Sequence, residues 1–262
     1  MFPVLIKIGP LTVHTYGFLI ATAFLVALAV AAGRAKKIGL PQDKITDLGF
    51  YTLVAAIVGS RLFFILTNWG HYAAHPIDML KIWEGGLVFY GGVIFAAPTA
   101  IWYARRVGLP VWQTADICAP SIAIGHAIGR LGCFCAGCCY GKPAEGVPWA
   151  VVFTDPESLA VKGVPLHPSQ IYESAAEFLN FMILIYLGRR RSFDGRLFSI
   201  YLLNYSIIRS VVELFRGDEV RGFIVPGVSI SQGISAALFI TAIGMMLWLK
   251  KKGSSAGRTQ KS

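Results

Sequence analysis

Seven runs of apolar residues, each long enough to cross a bilayer, set the terms for what this chain can fold into. They lie at about 13–33, 48–67, 87–104, 114–132, 170–188, 197–215 and 229–249. A membrane-spanning helix needs ~20 apolar residues to cross a hydrocarbon core of ~30 Å. Lipid offers the backbone no hydrogen bonds, so only helices and closed barrels survive there. Pro98, Asp116, Pro120 and His126 interrupt the third and fourth runs, which neighbouring helices can accommodate. The composition agrees: 55% of the 262 residues are hydrophobic and 15% charged, where a soluble domain carries about 25% charged residues. The expected fold is an all-α polytopic membrane protein with seven transmembrane helices. Disorder, collagen, coiled coil and a disulfide scaffold are excluded. The first eight residues are too short and irregular to form a cleavable signal.

Loop charge gives an orientation. The net charge of +10 comes from 24 Lys+Arg against 14 Asp+Glu. In a greasy chain this signifies basic cytoplasmic loops rather than nucleic-acid binding. Fifteen of the 24 basic residues follow the first, third, fifth and seventh spans: Arg34, Lys36, Lys37 and Lys44; Arg105 and Arg106; Arg189, Arg190, Arg191 and Arg196; Lys250, Lys251, Lys252, Arg258 and Lys261. Six lie on the other side (Lys7, Lys81, Lys142, Lys162, Arg216, Arg221). The positive-inside rule then places the N-terminus outside and the C-terminus in the cytoplasm. The expected organisation is one membrane domain over 1–249, with 133–169 forming a small extracytoplasmic cap. A basic cytoplasmic tail over 250–262 is expected to be disordered. The cap segment carries a Gly/Pro-rich run, a candidate strand in WAVVFT and a turn at Asp155-Pro156. The long segments all lie outside, so an outward-facing site is expected.

Three arginines fall inside spans: Arg61, Arg130 and Arg209. A charge near the bilayer centre costs at least about 2.5–3.5 kcal/mol on insertion scales, so each must face the bundle interior. In the sixth span Tyr205, Arg209, Glu213 and Arg216 follow at i, i+4, i+8 and i+11, which places them on one helix face. One reading is an Arg209–Glu213 ion pair that fixes packing. The other is a guanidinium pocket for an anion, because Arg binds phosphate through two N–H groups and stays charged when buried. Arg130 stands among Gly125, Gly129 and Gly132, with small residues continuing to Gly137 and Gly141. Glycines there can serve close packing alone. Arginines from three helices and a Gly-rich segment near the outer face suggest a phospholipid headgroup site.

Four of the five cysteines, Cys133, Cys135, Cys138 and Cys139, crowd into CFCAGCC. A tetrahedral zinc site usually draws pairs from two separated segments; here there is one cluster, and adjacent Cys138 and Cys139 make poor joint ligands. A disulfide, metal or redox work, and plain small-residue packing all remain open. His126, one turn before Arg130, reads as a satisfied buried group, and His71 and His75 as solvated. In HPSQIYE, Ser169 can cap the fifth span, which leaves Gln170, Tyr172 and Glu173 at its entrance unexplained.

Taken together these blocks resemble the prolipoprotein diacylglyceryl transferase family of bacteria. The matches are HTYGF, GSRLFF, WEGGLVFYGG, GRLGCFCAGCCYG, LHPSQIYE and DGRLFSIYLLNYSIIRSVVELFR, in order along nearly the whole chain. The resemblance implies a multi-pass enzyme of the bacterial cytoplasmic (inner) membrane. It would move the diacylglyceryl group of phosphatidylglycerol onto the lipobox cysteine thiol of a prolipoprotein, releasing glycerol phosphate. Its partners would be those two substrates and membrane lipids, with no nucleic acid, no metal and no organic cofactor. By the resemblance Arg130 would hold the phosphate of phosphatidylglycerol, and Arg209 would stabilise the leaving group or help activate the thiol. Tyr16, counted with the catalytic residues, and Tyr205, Glu213, Arg216 and Gly141, counted as substrate-binding, match positions that shape or support the site. Arg61 matches with a structural role. Two positions depart from the family pattern. Tyr90 stands where GG-x-x-F-H-GG usually has His, and tyrosine, with a pKa near ~10, is a poor general base. The usual G-N-F-x-N-G-E reads here Gly132-Cys133-Phe134-Cys135-Ala136-Gly137-Cys138. Competing expectations are a same-fold transferase with another acceptor, a Cys-centred redox or metal protein, and an anion or lipid transporter. A transporter would need a central polar path, and the chain shows no repeat that would build one.

Overall fold

The computed structural model describes residues 2–9, 11–81, 85–190, 192–217, 223–225 and 228–259. Expectations that fall on Arg191, Arg221 and 260–262 lie outside these residues. Each of the seven apolar runs is helical. The helices are α1 (Thr15–Lys37), α2 (Gln42–Thr67), α4 (Phe89–Arg106), α5 (Val111–Ala136), α6 (Ser169–Leu187), α7 (Arg196–Glu213) and α8 (Ile230–Thr259), with a short α3 (Trp69–Ala74) after α2. Four of them, α1, α2, α5 and α8, are long and apolar enough to cross a membrane. The protein is thus an all-α polytopic membrane protein. α8 continues to Thr259, ten residues into the basic segment expected to form a disordered tail. That stretch holds no proline, and cations suit a helix C-terminus.

The chain packs as two compact units, one of Met1–Val30 with Ala115–Ser262 and one of Ala31–Thr114. In the second unit the backbones of α2 and α4 come together at Gly59 and Gly91, with Phe63 and Phe95 packed over the two glycines. A Cβ on Gly59 would lie 2.5 Å from the Gly91 carbonyl oxygen, and one on Gly91 2.5 Å from that of Gly59. Such close backbone approach is how helices associate where lipid removes the hydrophobic driving force. The connection between α2 and α4 contains α3 and a 3-10 turn at Pro76–Leu80. Arg61 organises it from α2. Its guanidinium donates to the carbonyls of Asp78 (2.7 Å), Met79 (3.1 Å) and Gly85 (2.7 Å). The rings of Tyr72 and Phe64 lie against it, with centroids at 5.5 and 5.8 Å. Tyr90 is the second residue of α4 and is half exposed.

The first unit opens with a hairpin, β1 (Val4–Ile8) against β2 (Leu11–His14), feeding α1. Its helical core is built on small residues. Ala119 and Ala123 of α5 admit Leu184 of α6 and Leu197 and Tyr201 of α7. α6 is inside-out by soluble standards. It buries Ser169, Gln170, Glu173, Ser174, Glu177 and Asn180 while exposing Phe178, Leu179, Met182 and Ile183. Turning the polar face inward suits a helix of a polytopic membrane protein. Polar contacts set the registers: Asn204 donates to Asn180 (2.9 Å), and Ser174 to the Ala127 carbonyl (2.8 Å). Asp116 of α5 accepts from the Gly195 and Phe198 N–H groups (2.8 and 2.9 Å), so it caps α7 from a neighbouring helix. Between α5 and α6 the chain forms a small lobe. β3 (Val151–Val152) pairs with β4 (Pro165–Leu166) over Phe153, Ala160 and Leu166, and a turn follows Asp155.

Candidate functional site

All the candidate site residues but Arg61 belong to the first unit, and the residues of four helices and the lobe meet around Arg130. Arg130 is in the last third of α5, with its side chain 11% exposed. One terminal nitrogen, Nη2, pairs with Glu173 Oε2 of α6. The other, Nη1, approaches Cys133 Sγ at 3.7 Å. Its Nε is buried and has no hydrogen-bond partner among the described residues. Glu173 is itself buried, and its second oxygen lies 3.3 Å from His126 Nε2. His126 Nδ1 lies 3.7 Å from Glu177 Oε1. The result is a continuous row of polar contacts, Arg130–Glu173–His126–Glu177, between α5 and α6. Buried ions are tolerated when paired in this way.

The α7 face carries the next part. Arg209 Nη1 meets Glu213 Oε2 at 2.6 Å, the i,i+4 pair expected, and Nη2 donates to Ser231 Oγ of α8 at 3.0 Å. Tyr205 places its ring 5.8 Å from that of His126, within electrostatic reach of Arg130, Glu173 and Arg209. Arg216 departs from the expected helix face, because α7 ends at Glu213 and the chain turns. Arg216 is buried and forms a β-bridge with Gly141. Gly141 sits where three segments cross. A Cβ there would lie 2.5 Å from the His167 carbonyl oxygen and 2.7 Å from that of Phe215. Its absent side chain is therefore a steric requirement of the fold. Tyr16, the second residue of α1, lays its ring edge along Gly132 and lies within electrostatic reach of Arg130 and the Cys133, Cys138 and Cys139 thiols.

The HPSQIYE block turns out to be structural glue. Ser169 does not cap α6; its hydroxyl donates to the Cys139 carbonyl at 2.9 Å, and Gln170 Nε2 to that of Cys138 at 2.8 Å. Tyr172 OH accepts from Trp149 Nε1 at 2.7 Å and lies 3.1 Å from His167 Nδ1. The same contacts hold the cysteine turn in place. No disulfide joins any of the five cysteines, and the Sγ atoms of Cys133, Cys138 and Cys139 all lie within 4.8 Å of one another. Hydrogen bonds shared among these thiols drive Cys139 below the ordinary value and Cys138 above it, and Arg216 and Arg130 lie within electrostatic reach of Cys139.

Glu177 and Ser231 are site residues that the sequence pattern does not single out. Two acids four residues apart in an apolar span, Glu173 and Glu177, were the signal for the first. Ser231 gave none.

Comparison with known proteins accords with this arrangement. A family model described as prolipoprotein diacylglyceryl transferase matches residues 3–248. The phosphatidylglycerol–prolipoprotein diacylglyceryl transferase of Clostridium tetani is 36% identical over 248 residues, covering 95% of this chain and 97% of the relative. Proteins of the same name from Bacillus velezensis and Geobacter sulfurreducens are each 34% identical over 258 residues, covering 96% and 95% of this chain and 93% and 96% of the relatives.

Proposed function

The chain belongs to the prolipoprotein diacylglyceryl transferase family, and on that premise we propose how its residues divide the reaction. The protein is a transferase that moves the diacylglyceryl group of phosphatidylglycerol to the lipobox cysteine thiol of a prolipoprotein. The cysteine sulfur forms a bond to the glycerol carbon that bears the phosphate. The C–O bond to the phosphate breaks, its electron pair stays on oxygen, and glycerol phosphate departs.

The observation that carries the assignment of the phosphate is the Arg130 side chain. Its charge is fixed by Glu173, and its buried Nε still has a hydrogen to donate. A phosphate oxygen beside it would complete a charge-assisted contact in a water-poor site, where such contacts are strongest. Arg209, held by Glu213 and Ser231, stabilises the departing phosphate or helps ionise the thiol. Tyr205 and Tyr16 flank Arg130 on its α7 and α1 sides and orient the headgroup. Glu213 holds Arg209, Arg216 lends positive charge to the rim, and Gly141 lets the lobe close.

All seven long helices span the bacterial cytoplasmic membrane, with the N-terminus and the α5–α6 lobe outside and the C-terminus inside. The distribution of Lys and Arg over the loops supports this orientation. The membrane domain runs to residue 249. Reporter fusions after Lys37, Arg106 and Thr259 should all report cytoplasm.

The direct test uses purified protein in lipid micelles with radiolabelled phosphatidylglycerol and a lipobox peptide, beside the same peptide with Cys→Ser. Label on the cysteine peptide alone, with glycerol phosphate released, is expected. No transfer from a folded preparation would overturn the reading.

A further inference from the structure

The three converging thiols are unusual in how the backbone delivers them. Neighbouring side chains normally diverge, and the adjacency of Cys138 and Cys139 argues against joint ligation on sequence grounds. Folding removes that objection. Gly137 (φ +76°) and Cys139 (φ +60°) are both left-handed, and Cys139 is the sole non-glycine residue with positive φ among the described residues. Glycine or asparagine would take that conformation at lower cost, so backbone geometry alone does not call for a cysteine there. The turn brings the Cys138 N–H to the Cys133 carbonyl at 3.1 Å and gathers all three Sγ atoms within 4.8 Å. A tetrahedron with ~2.3 Å zinc–sulfur bonds has sulfurs about 3.8 Å apart, a small contraction from this arrangement.

The surroundings suit a metal site. Ser169 and Gln170 tie down the carbonyls of Cys139 and Cys138, fixing both ligands from behind. Arg130 Nη1 faces Cys133 Sγ at 3.7 Å, and Arg216 and Arg130 lie within electrostatic reach of Cys139. Three thiolates around a divalent cation leave one negative charge, which these guanidiniums offset.

We propose that Cys133, Cys138 and Cys139 hold a zinc ion as three thiolates, and that its open fourth position binds the acceptor cysteine of the prolipoprotein as a thiolate. The inference rests on the transferase reading above. It adds to any help from Arg209 a direct way to ionise the substrate thiol, in a chain where position 90 is a phenol, Tyr90, and the resemblance leads one to expect histidine. Catalytic zinc sites carry three protein ligands and one open position, and a thiol that enters such a position loses its proton. The proton goes to solvent. The sulfur lone pair then attacks the glycerol carbon, the C–O bond breaks, and the electron pair leaves on the phosphate held by Arg130. Nothing is oxidised or reduced. The thioether product is a neutral, weaker ligand and dissociates. Arg130 touches both the proposed phosphate site and a zinc ligand, so the two reactants meet within one side chain's reach.

The test uses the full chain, reduced, in lipid micelles. Zinc content after dialysis should be near one per chain. Cobalt(II) added to metal-free protein should give a thiolate charge-transfer band. Cys133→Ser, Cys138→Ser and Cys139→Ser should each weaken metal binding by at least about tenfold, the smallest loss expected even for an outer-shell change. Cys135→Ser, outside the cluster, should bind as the parent does. The cysteine lipobox peptide should shift the cobalt spectrum and the Cys→Ser peptide should not. Removing zinc with a chelator should stop transfer, and zinc should restore it. A folded preparation with all thiols reduced that binds neither zinc nor cobalt overturns the proposal. So does undiminished transfer by metal-free protein, which would leave the transferase reading standing. Metal binding with a peptide response, but no transfer from phosphatidylglycerol, would instead sink the transferase reading and the acceptor role with it.

Discussion

The Arg130–Glu173 pair lets binding and folding be separated by experiment. Replacing Arg130 with Ala removes the guanidinium and strands Glu173, whose side chain is only 2% exposed. Breaking a buried ion pair by deleting one partner costs about 3–5 kcal/mol. His126 at 3.3 Å shares the carboxylate and should keep the loss near the lower figure. Arg130→Ala combined with Glu173→Gln leaves no charge behind, because an amide of the same shape fills the carboxylate's place. Most of the lost stability should return in the double variant. Activity should not. If phosphate takes one or two charge-assisted hydrogen bonds from Arg130, at about 1.5–3 kcal/mol each, both variants should lose roughly ten-fold to ten-thousand-fold in kcat/KM at 1.36 kcal/mol per decade. Stability is read by tryptophan fluorescence during thermal unfolding in micelles, and activity by label transfer to the cysteine peptide. A double variant that recovers turnover to within about tenfold of the parent would refute the phosphate role. An Arg130→Ala protein as stable as the parent would refute the burial argument.

Other substitutions follow from the same geometry. Gly141→Ala drives a methyl into two backbone carbonyls and should cost at least about 1–3 kcal/mol, read as a lowered melting temperature. Lost activity at an unchanged melting temperature would show instead that Gly141 meets substrate. Arg61→Met strips donors from the Asp78, Met79 and Gly85 carbonyls and should cost about 3 kcal/mol or more. Its turnover per folded molecule should stay near the parent's, as counted against the folded fraction. Arg209→Lys keeps the charge but loses the planar fork that serves Glu213 and Ser231 together. It should lower kcat/KM by roughly 10- to 150-fold, the equivalent of one charged hydrogen bond; a fall below twofold would remove Arg209 from the reaction.

Much of the scaffold was legible because hydropathy reports what lipid requires. Each apolar run became a helix, and the buried arginines did turn inward, as the insertion cost demands. Boundaries were less legible. α2 begins at Gln42, six residues before its apolar run, because Pro41 can start a helix whose first turns are polar. Arg216 left the expected α7 face because the helix stops at Glu213, and helical spacing carries no signal for where a turn will intervene. Pairings were not legible at all. Arg130 and Glu173 are 43 residues apart, and periodicity shows that each needs a partner without naming it. A serine at a helix start usually caps it, but for Ser169 tertiary contact with Cys139 wins instead. The convergence of Cys133, Cys138 and Cys139 depends on two left-handed residues, Gly137 and Cys139, the second of which no composition rule would assign to cysteine.

The cap that Asp116 places on α7 has a consequence for how such a protein can change over time. It gives α5 and α7 a common zero mark, while the bridge between Gly141 and Arg216 fastens the other end. From that mark, Arg130 is fourteen residues along α5, and Arg209 is eleven beyond Phe198 along α7. At ~1.5 Å per residue these are runs of roughly 21 and 17 Å. One residue inserted in either run would swing its guanidinium by about 100° around the helix axis, out of the pocket and toward lipid. Substitution within these stretches is negotiable, whereas their length is not. Insertions and deletions should therefore be tolerated at the open turn around Gly146 in the lobe, and eliminated between Asp116 and Arg130 and between Phe198 and Arg209.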